Sequence, residues 1–225
     1  MKERKNNSYL LCIFVSRYRR LFHCNMADNY LHQSNNDIEY YKIKMYRSNM
    51  DSIPAYPLPS GYSIKLFQDN SNDEQKWAEI TTAAGEFHTV QEGYDRFVKV
   101  FLSHKDHHLF PERLHFLLNS EGKYIGTAWA WFGELDGEEQ GSLYWVSIIP
   151  EYQGRKLAKP LVTTVLNKIS EYSKKCFLDS QTTSWRAINM YADLGFKPYM
   201  NTEHSDKAWQ ALSKICHRNF LDNEQ

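Results

Sequence analysis

The chain has 225 residues, with 27 basic and 27 acidic side chains and a formal net charge of zero, and its 42% hydrophobic content is enough for a buried core. That length accommodates one domain with tails or two small domains, and the charge balance excludes a global field of the kind that gathers nucleic acid or anionic lipid. The balance hides an asymmetry, because residues 1–25 hold Lys2, Arg4, Lys5, Arg17, Arg19 and Arg20 against Glu3 alone, leaving the rest mildly acidic.

Residues 9–15 form the longest clean apolar run, far short of the roughly 20 residues that span a membrane. Arginines follow it where a signal peptide has small cleavage-site residues, which argues against secretion. Cys12, Cys24, Cys176 and Cys216 include no Cys-x-x-Cys pair, so free thiols in a reducing, cytoplasmic setting are expected rather than a zinc site or disulfide framework. Composition changes abruptly near Met26-Ala27-Asp28, an ordinary translation start, and Met26 is expected to be the initiator. Residues 35–60, polar and then punctuated by Pro54, Pro57 and Pro59, read as a linker or extended surface arm. Residues 1–60 are accordingly expected to be a poorly ordered extension, 61–200 the domain, and 201–225 a helix and tail.

Alternation over residues 61–67 predicts the first strand. Ser71-x-x-Glu74 opens a helix with Trp77 and Ile80 on one face, and Thr89-x-x-Glu92 opens a second with Tyr94, Phe97, Val98 and Phe101 at helical spacing. Residues 112–118 and 124–131 are strands joined by a turn ending in Gly122. An acidic loop, 134–139, leads to a strand over 143–149, apolar on both faces as a fully covered strand is. Pro150 ends it. A helix over 157–172 tolerates Pro160 because it falls in or near the first turn. A short strand over 176–179, a helix over 185–194 capped by Gly195, a short strand over 196–200 and a final helix from Ser205 or Asp206 complete the order. Strand, two helices, three strands, helix, strand, helix, strand is neither strict β-α alternation nor all-β, and it predicts a mixed α/β fold, a sheet flanked by helices.

Gln153-Gly154-Arg155-Lys156 stands between the covered strand and a helix start, where backbone N–H groups lack intrahelical partners and the helix dipole is positive. That is an anion site, most naturally for phosphate. His104, His107 and His108 with Asp106 lack helical metal-ligand spacing and read as a solvated loop, so no metal is expected.

Residues 143–161 resemble motif A of the GCN5-related N-acetyltransferases, in which Gln/Arg-x-x-Gly-x-Gly/Ala follows the fourth strand. Gln153 and Ala158 match the first and last signature positions, and Lys156 stands where glycine is commonest. Trp185 to Phe196, with Ala187, Tyr191, Gly195 and Phe196, is similar to the family's Ala-x-x-x-Tyr-x-x-x-Gly-Phe element. The resemblance covers roughly residues 61–200. It implies a central, mostly antiparallel sheet and transfer of an acetyl group from acetyl-CoA to a primary amine of a small molecule or peptide, in a ternary complex without a covalent enzyme intermediate. It implies that Val146, Ser147 and Ile148 lie along the pantetheine arm, with the Val146 N–H at the acetyl carbonyl. Gln153, Gly154, Arg155, Lys156, Leu157 and Ala158 would hold the pyrophosphate, mostly through backbone N–H. Lys156, in place of glycine, keeps its N–H for the site only if its φ stays negative, with its ammonium then either on a phosphate or solvated. Tyr191 takes the place of the general acid, and Asn189 is close by on the same helix.

The base does not fall on the family's positions, which are Tyr144 and Ser142 here, so Tyr144 is assigned to ordering a water or the substrate. Glu134, Glu138 or Glu139 acting through water, or Asp179, remain the carboxylate candidates. Trp129, Trp131, Phe132 and Trp145 read as core rather than as an acceptor pocket. A monomer or homodimer without nucleic-acid or membrane partners is expected. Two other readings stand beside the enzyme: a catalytically silent acyl-CoA sensor or scaffold, and an acyltransferase using a longer acyl-CoA or an aminoacyl-tRNA.

Overall fold

Seven stretches take extended backbone in the computed structural model, which describes residues 38–69, 71–102, 104, 106–200 and 203–222. They are β1 (Lys42–Arg47), β2 (Ser63–Leu66), β3 (Leu114–Leu118), β4 (Tyr124–Leu135), β5 (Glu138–Ile148), β6 (Cys176–Gln181) and β7 (Lys197–Tyr199). All lie in one sheet of order β2-β3-β4-β5-β6-β1-β7, in which only β5 and β6 run parallel. The helices are α1 (Asp73–Ala83), α2 (Val90–Arg96), α3 (Phe110–Arg113), α4 (Ala158–Ser170), α5 (Trp185–Asp193) and α6 (Ser205–Cys216). This is the helix-flanked, mostly antiparallel sheet that the element order implies.

Seven consecutive buried residues in β4 demand cover on both faces, and α1 and α4 supply it. Trp77 of α1, Phe97, Phe101, Phe110, Trp129 and Trp145 make one aromatic cluster, with Phe101 and Trp129 centroids 4.4 Å apart and Trp77 and Trp145 5.0 Å apart. Edge-to-face approaches of this kind add to the area these rings bury. The aromatics are core, as the sequence reading had them. Helix α4 contributes Leu161, Val162, Val165, Leu166 and Ile169, all buried.

The linker expected over 35–60 is corrected at β1. Met45 is fully buried and Ile43 nearly so, and β1 lies between β6 and β7, antiparallel to both, with Met45 opposite Leu178 and Pro198. The alternation of Ile43 and Met45 with Lys42 and Lys44 carries this strand, but its lysines and the prolines after it gave the stretch the composition of a linker. Arg47 then fixes the chain's exit. Its guanidinium donates to the carbonyls of Asn49 at 2.7 Å, Ser52 at 2.5 Å and Leu194. Leu194 closes α5, and the adjacent Gly195 takes φ +84 with no room for a Cβ beside the Arg47 guanidinium.

Two local expectations also change. Ser71 and Glu74 form no capping box: Asn72 is the left-handed N-cap residue without a side-chain bond. Instead Asp73 is fully buried and accepts from Gln68 N–H at 2.9 Å, Tyr124 Oη at 2.7 Å and Lys65 Nζ at 3.3 Å. Thr89 does cap α2, accepting from Glu92 N–H at 3.2 Å. The acidic loop is a tight hairpin, since β4 runs to Leu135, β5 starts at Glu138, and Asp136 and Gly137 turn with φ +55 and +80. Asp-Gly with two positive φ angles is the preferred two-residue hairpin turn.

Candidate active site

Strands β5 and β6 pair only at Gly141–Cys176 and Ser142–Phe177. Beyond that point they part, and the opening between them is a cleft of about 1120 Å³, above the roughly 300–1,000 Å³ of ordinary small-molecule pockets. A bulge in β5 marks the parting. Thr127 faces Ser147 while Trp129 faces Tyr144, so β5 carries one residue more than β4 across this interval, and a bulge bends the strand that holds it. Trp145 stands in the bulge with φ +46. So bulky a residue is strained there, and packing of its indole on Trp77 and Phe87 holds it.

The edge of β5 that faces the opening has no β6 partner past Ser142. Ile149 N–H bonds to Ile125 O at 2.9 Å on the β4 side, so alternation turns the N–H and C=O of Ile148 toward the cleft. Gln153 Nε2 donates to that carbonyl at 2.8 Å. Val146, Ser147 and Ile148 all border the cleft.

A single turn, Pro150–Tyr152, follows, and then the backbone enters the left-handed region twice, at Gly154 with φ +74 and at Lys156 with φ +62. The negative φ on which the Lys156 N–H role depended is therefore not met: lysine takes the conformation that favours glycine. The reason is the start of α4 at Ala158, which the chain reaches in one sharp reversal. Leu161 N–H is bonded to Leu157 O, Pro160 has no N–H, and so the N–H groups of Ala158 and Lys159 lack intrahelical acceptors. Gln153, Gly154, Lys156, Leu157 and Ala158 border the cleft. Arg155 does not; its guanidinium lies over the Tyr152 ring, 4.7 Å from the centroid.

The facing wall carries the titratable groups. Tyr191 of α5 is 6% exposed and borders the cleft. Burial, and behind it the Glu86 carboxylate, raises its phenol above the ordinary value, so it holds its proton throughout the physiological range. Glu86 is a residue that sequence reasoning missed. Gly85, at φ +89, ends α1 in a left-handed turn, with Gly85 N–H on Thr82 O and Glu86 N–H on Thr81 O, both at 2.9 Å. This doubly bonded C-terminal cap fixes where Glu86 enters the cleft, and the glycine two residues past the end of α1 was its signal. Thr183 also borders the cleft, and its Oγ1 is buried without a hydrogen-bond partner. Asp179 is paired with Lys44 at 2.6 Å.

Four other expected residues lie elsewhere. Tyr144 is outside the cleft lining and packs on Phe101 and Trp129. Glu134 is paired with Glu139 beside the hairpin turn, which puts it seven strand positions from Val146, roughly 23 Å along β5. Glu138 is at the same end, bonded to Lys175 at 2.8 Å. Asn189 is outside the cleft lining; Arg218 donates to its backbone carbonyl at 3.0 Å, and its side-chain Oδ1 is buried without a hydrogen-bond partner. Register explains each case: the bulge reverses the faces of β5, the hairpin carries the acids to the far end, and residue 189 falls on a side of α5 that does not line the cleft. Among the described residues, no group of three or more His, Cys, Asp or Glu side chains could hold a metal ion, and no helix is long and apolar enough to cross a membrane.

This geometry offers an open strand edge for an amide-bearing chain, anion-binding N–H groups at one end, and a buried phenol with a carboxylate at the other. The family model described as the acetyltransferase (GNAT) family matches residues 75–196. A mycothiol acetyltransferase of Paenarthrobacter aurescens is 26% identical over 163 residues, 70% of this chain and 49% of that protein. The N-alpha-acetyltransferase MAK3 of Arabidopsis thaliana is 26% identical over 139 residues, covering 59% and 73%. The chain thus spans about half the length of the first of these. A GCN5-related N-acetyltransferase from Sphaerobacter thermophilus superposes with a TM-score of 0.52 at 17% identity, over 71% of this chain and 50% of that one, a likeness of fold.

Proposed function

Because the chain belongs to the acetyltransferase (GNAT) family, we propose that it is an acetyl-CoA-dependent N-acetyltransferase that passes the acetyl group directly to a primary amine of a small molecule or peptide. The observation that carries this reading is the parted β5–β6 pair with the left-handed Gly154–Lys156 turn at its mouth. The residues fit the donor. Apart from its own residue and its chain neighbours, no atom lies within 4 Å of a Cβ placed on Gly154, the N–H groups of Ala158 and Lys159 are open to the pyrophosphate, and Ile148 N–H and Thr183 Oγ1 are available to pantetheine amides. Acetyl-CoA supplies an acyl group already activated as a thioester.

The chain's own groups do the rest. Tyr191 donates the proton from its Oη to the departing sulfur. Burial raises the phenol, and the same apolar surroundings penalise a thiolate, so the two stay near enough in acidity for transfer. Glu86 receives the proton of the acceptor ammonium and draws a cationic amine to the Trp145 side of the cleft. Trp145 and Leu143 exclude water from the reacting end. Free Cys176 and Cys216 support a reducing, cytoplasmic location.

The test combines acetyl-CoA titration with a free-thiol assay over a panel of primary amines. Tyr191→Phe is expected to lower turnover about a hundredfold with acetyl-CoA affinity retained, and Glu86→Gln to raise KM for cationic amines about tenfold. Unchanged turnover in Tyr191→Phe removes the phenol from the reaction, and a wild-type chain that binds no acetyl-CoA ends the whole reading.

A further inference from the structure

The cleft does not stop at the residues the family model covers. Tyr56, Pro57 and Pro59 border it as well, and they precede residue 75, where the match begins. The arm that carries them is held at both ends. Arg47 ties residues 49 and 52 to the end of α5, and Tyr62 packs edge-on against Tyr152 at 6.4 Å. Between these anchors the Tyr56 ring lies 5.1 Å from Lys159 Nζ. Lys159 sits in the first turn of α4, bonded to Asp193 at 2.9 Å, and Asp193 also takes Arg218 at 2.5 Å. Burial alone would raise the Asp193 carboxyl, but the hydrogen bonds from Lys159 and Arg218 outweigh it and hold it below its ordinary value. The trio of two cations and one anion therefore carries one net positive charge, and Lys159 is the member of it that borders the cleft.

Resting on the acetyl-CoA reading, we propose that Tyr56, Pro57 and Pro59, with Lys159, form the subsite for the adenosine 3′-phosphate end of the donor. Adenosine follows the pyrophosphate, away from the thiol, and the arm adjoins the α4 start proposed for that pyrophosphate, not the Trp145 and Glu86 end. An aromatic ring with two pyrrolidines is a platform for a base, and the Lys159 ammonium beside it, whose carboxylate partner is shared with Arg218, suits a phosphate monoester. The subsite is built from a segment that in sequence looks like a linker.

Calorimetric titration of the full chain with CoA, dephospho-CoA and 4′-phosphopantetheine tests this. Tyr56→Leu, which keeps an apolar side chain in place, is expected to weaken CoA roughly tenfold and to leave phosphopantetheine unchanged, while Tyr56→Phe keeps wild-type affinity. Lys159→Gln is expected to erase the preference for CoA over dephospho-CoA. Equal weakening of CoA and phosphopantetheine by Tyr56→Leu overturns the subsite, as does no weakening of either. If Tyr56→Leu does not fold, Lys159→Gln and the wild-type ligand series decide, and a wild type that binds phosphopantetheine as tightly as CoA overturns the proposal. Binding of none of the three ligands by the wild type overturns the acetyl-CoA reading itself, an outcome distinct from the others.

Discussion

The two walls of the cleft are made in different ways. One is a single unbroken run, residues 143–160, in which strand, turn and helix start follow one another; the other is gathered from the N-terminal arm, the end of α1, the end of β6 and the inner side of α5. A contiguous wall has its shape set by local backbone conformation and needs little from the rest of the chain. A gathered wall exists only while the sheet holds its pieces in register. Perturbing the core should therefore disturb the second wall far more than the first.

The largest expected effect comes from β1, the strand on which the gathered wall depends. Met45→Ala removes a fully buried side chain between β6 and β7 and is expected to cost about 2–5 kcal/mol, read from urea unfolding. A loss under 1 kcal/mol, within the range of a surface change, would mean that β1 is an ornament of the sheet. Acid should loosen the frame by about 3 kcal/mol. Burial, ahead of a hydrogen bond to Arg113 O that opposes it, lowers the pKa of His115 on β3 from 6.5 to about 4. The folded protein holds this imidazole neutral while the unfolded chain protonates it. Its stabilising contribution is thus complete above pH 6.5 and lost as pH falls toward 4. Unfolding curves across that window should flatten in His115→Gln, and an identical slope in both proteins would exclude His115 as the cause. The smallest effect sharpens the contiguous wall. Lys156→Gly is expected to stabilise by about 1 kcal/mol, since a left-handed non-glycine residue is strained by roughly that much. Lower thermal stability would show that the lysine side chain contributes more than its backbone costs.

The same contrast governs what could be read from sequence. The run 143–160 was legible because its signals are neighbours: apolar residues on both faces, Pro150, Gly154, then a helix start. Tyr191 was legible through its spacing to Ala187 and Gly195. Glu86 was not, because it is a loop carboxylate until the capping turn at Gly85 is seen to aim it. β1 was missed because Lys42 and Lys44 occupy alternate positions of a six-residue strand, and their stems at a sheet face look in sequence like linker polarity. The bulge at Trp145 shows the limit most clearly. One inserted residue turns Tyr144 from a candidate at the site into a packing partner of Trp129, and no composition or period marks where that residue falls.

The place of β1 in the sheet also bears on how the protein is made. Its partners are β6 and β7, and Lys42 lies opposite Gln181, so the strand emerges from the ribosome well before either neighbour exists. At ordinary rates of synthesis, on the order of ten seconds separate the two. Through that interval both edges of β1, with Ile43 and Met45 between them, are open to any other extended chain. The two outer halves of the sheet close only when the carboxy-terminal third has been translated, which makes the protection of residues 42–47 during synthesis, by a chaperone or by the charges of Lys42 and Lys44, part of the fold's design.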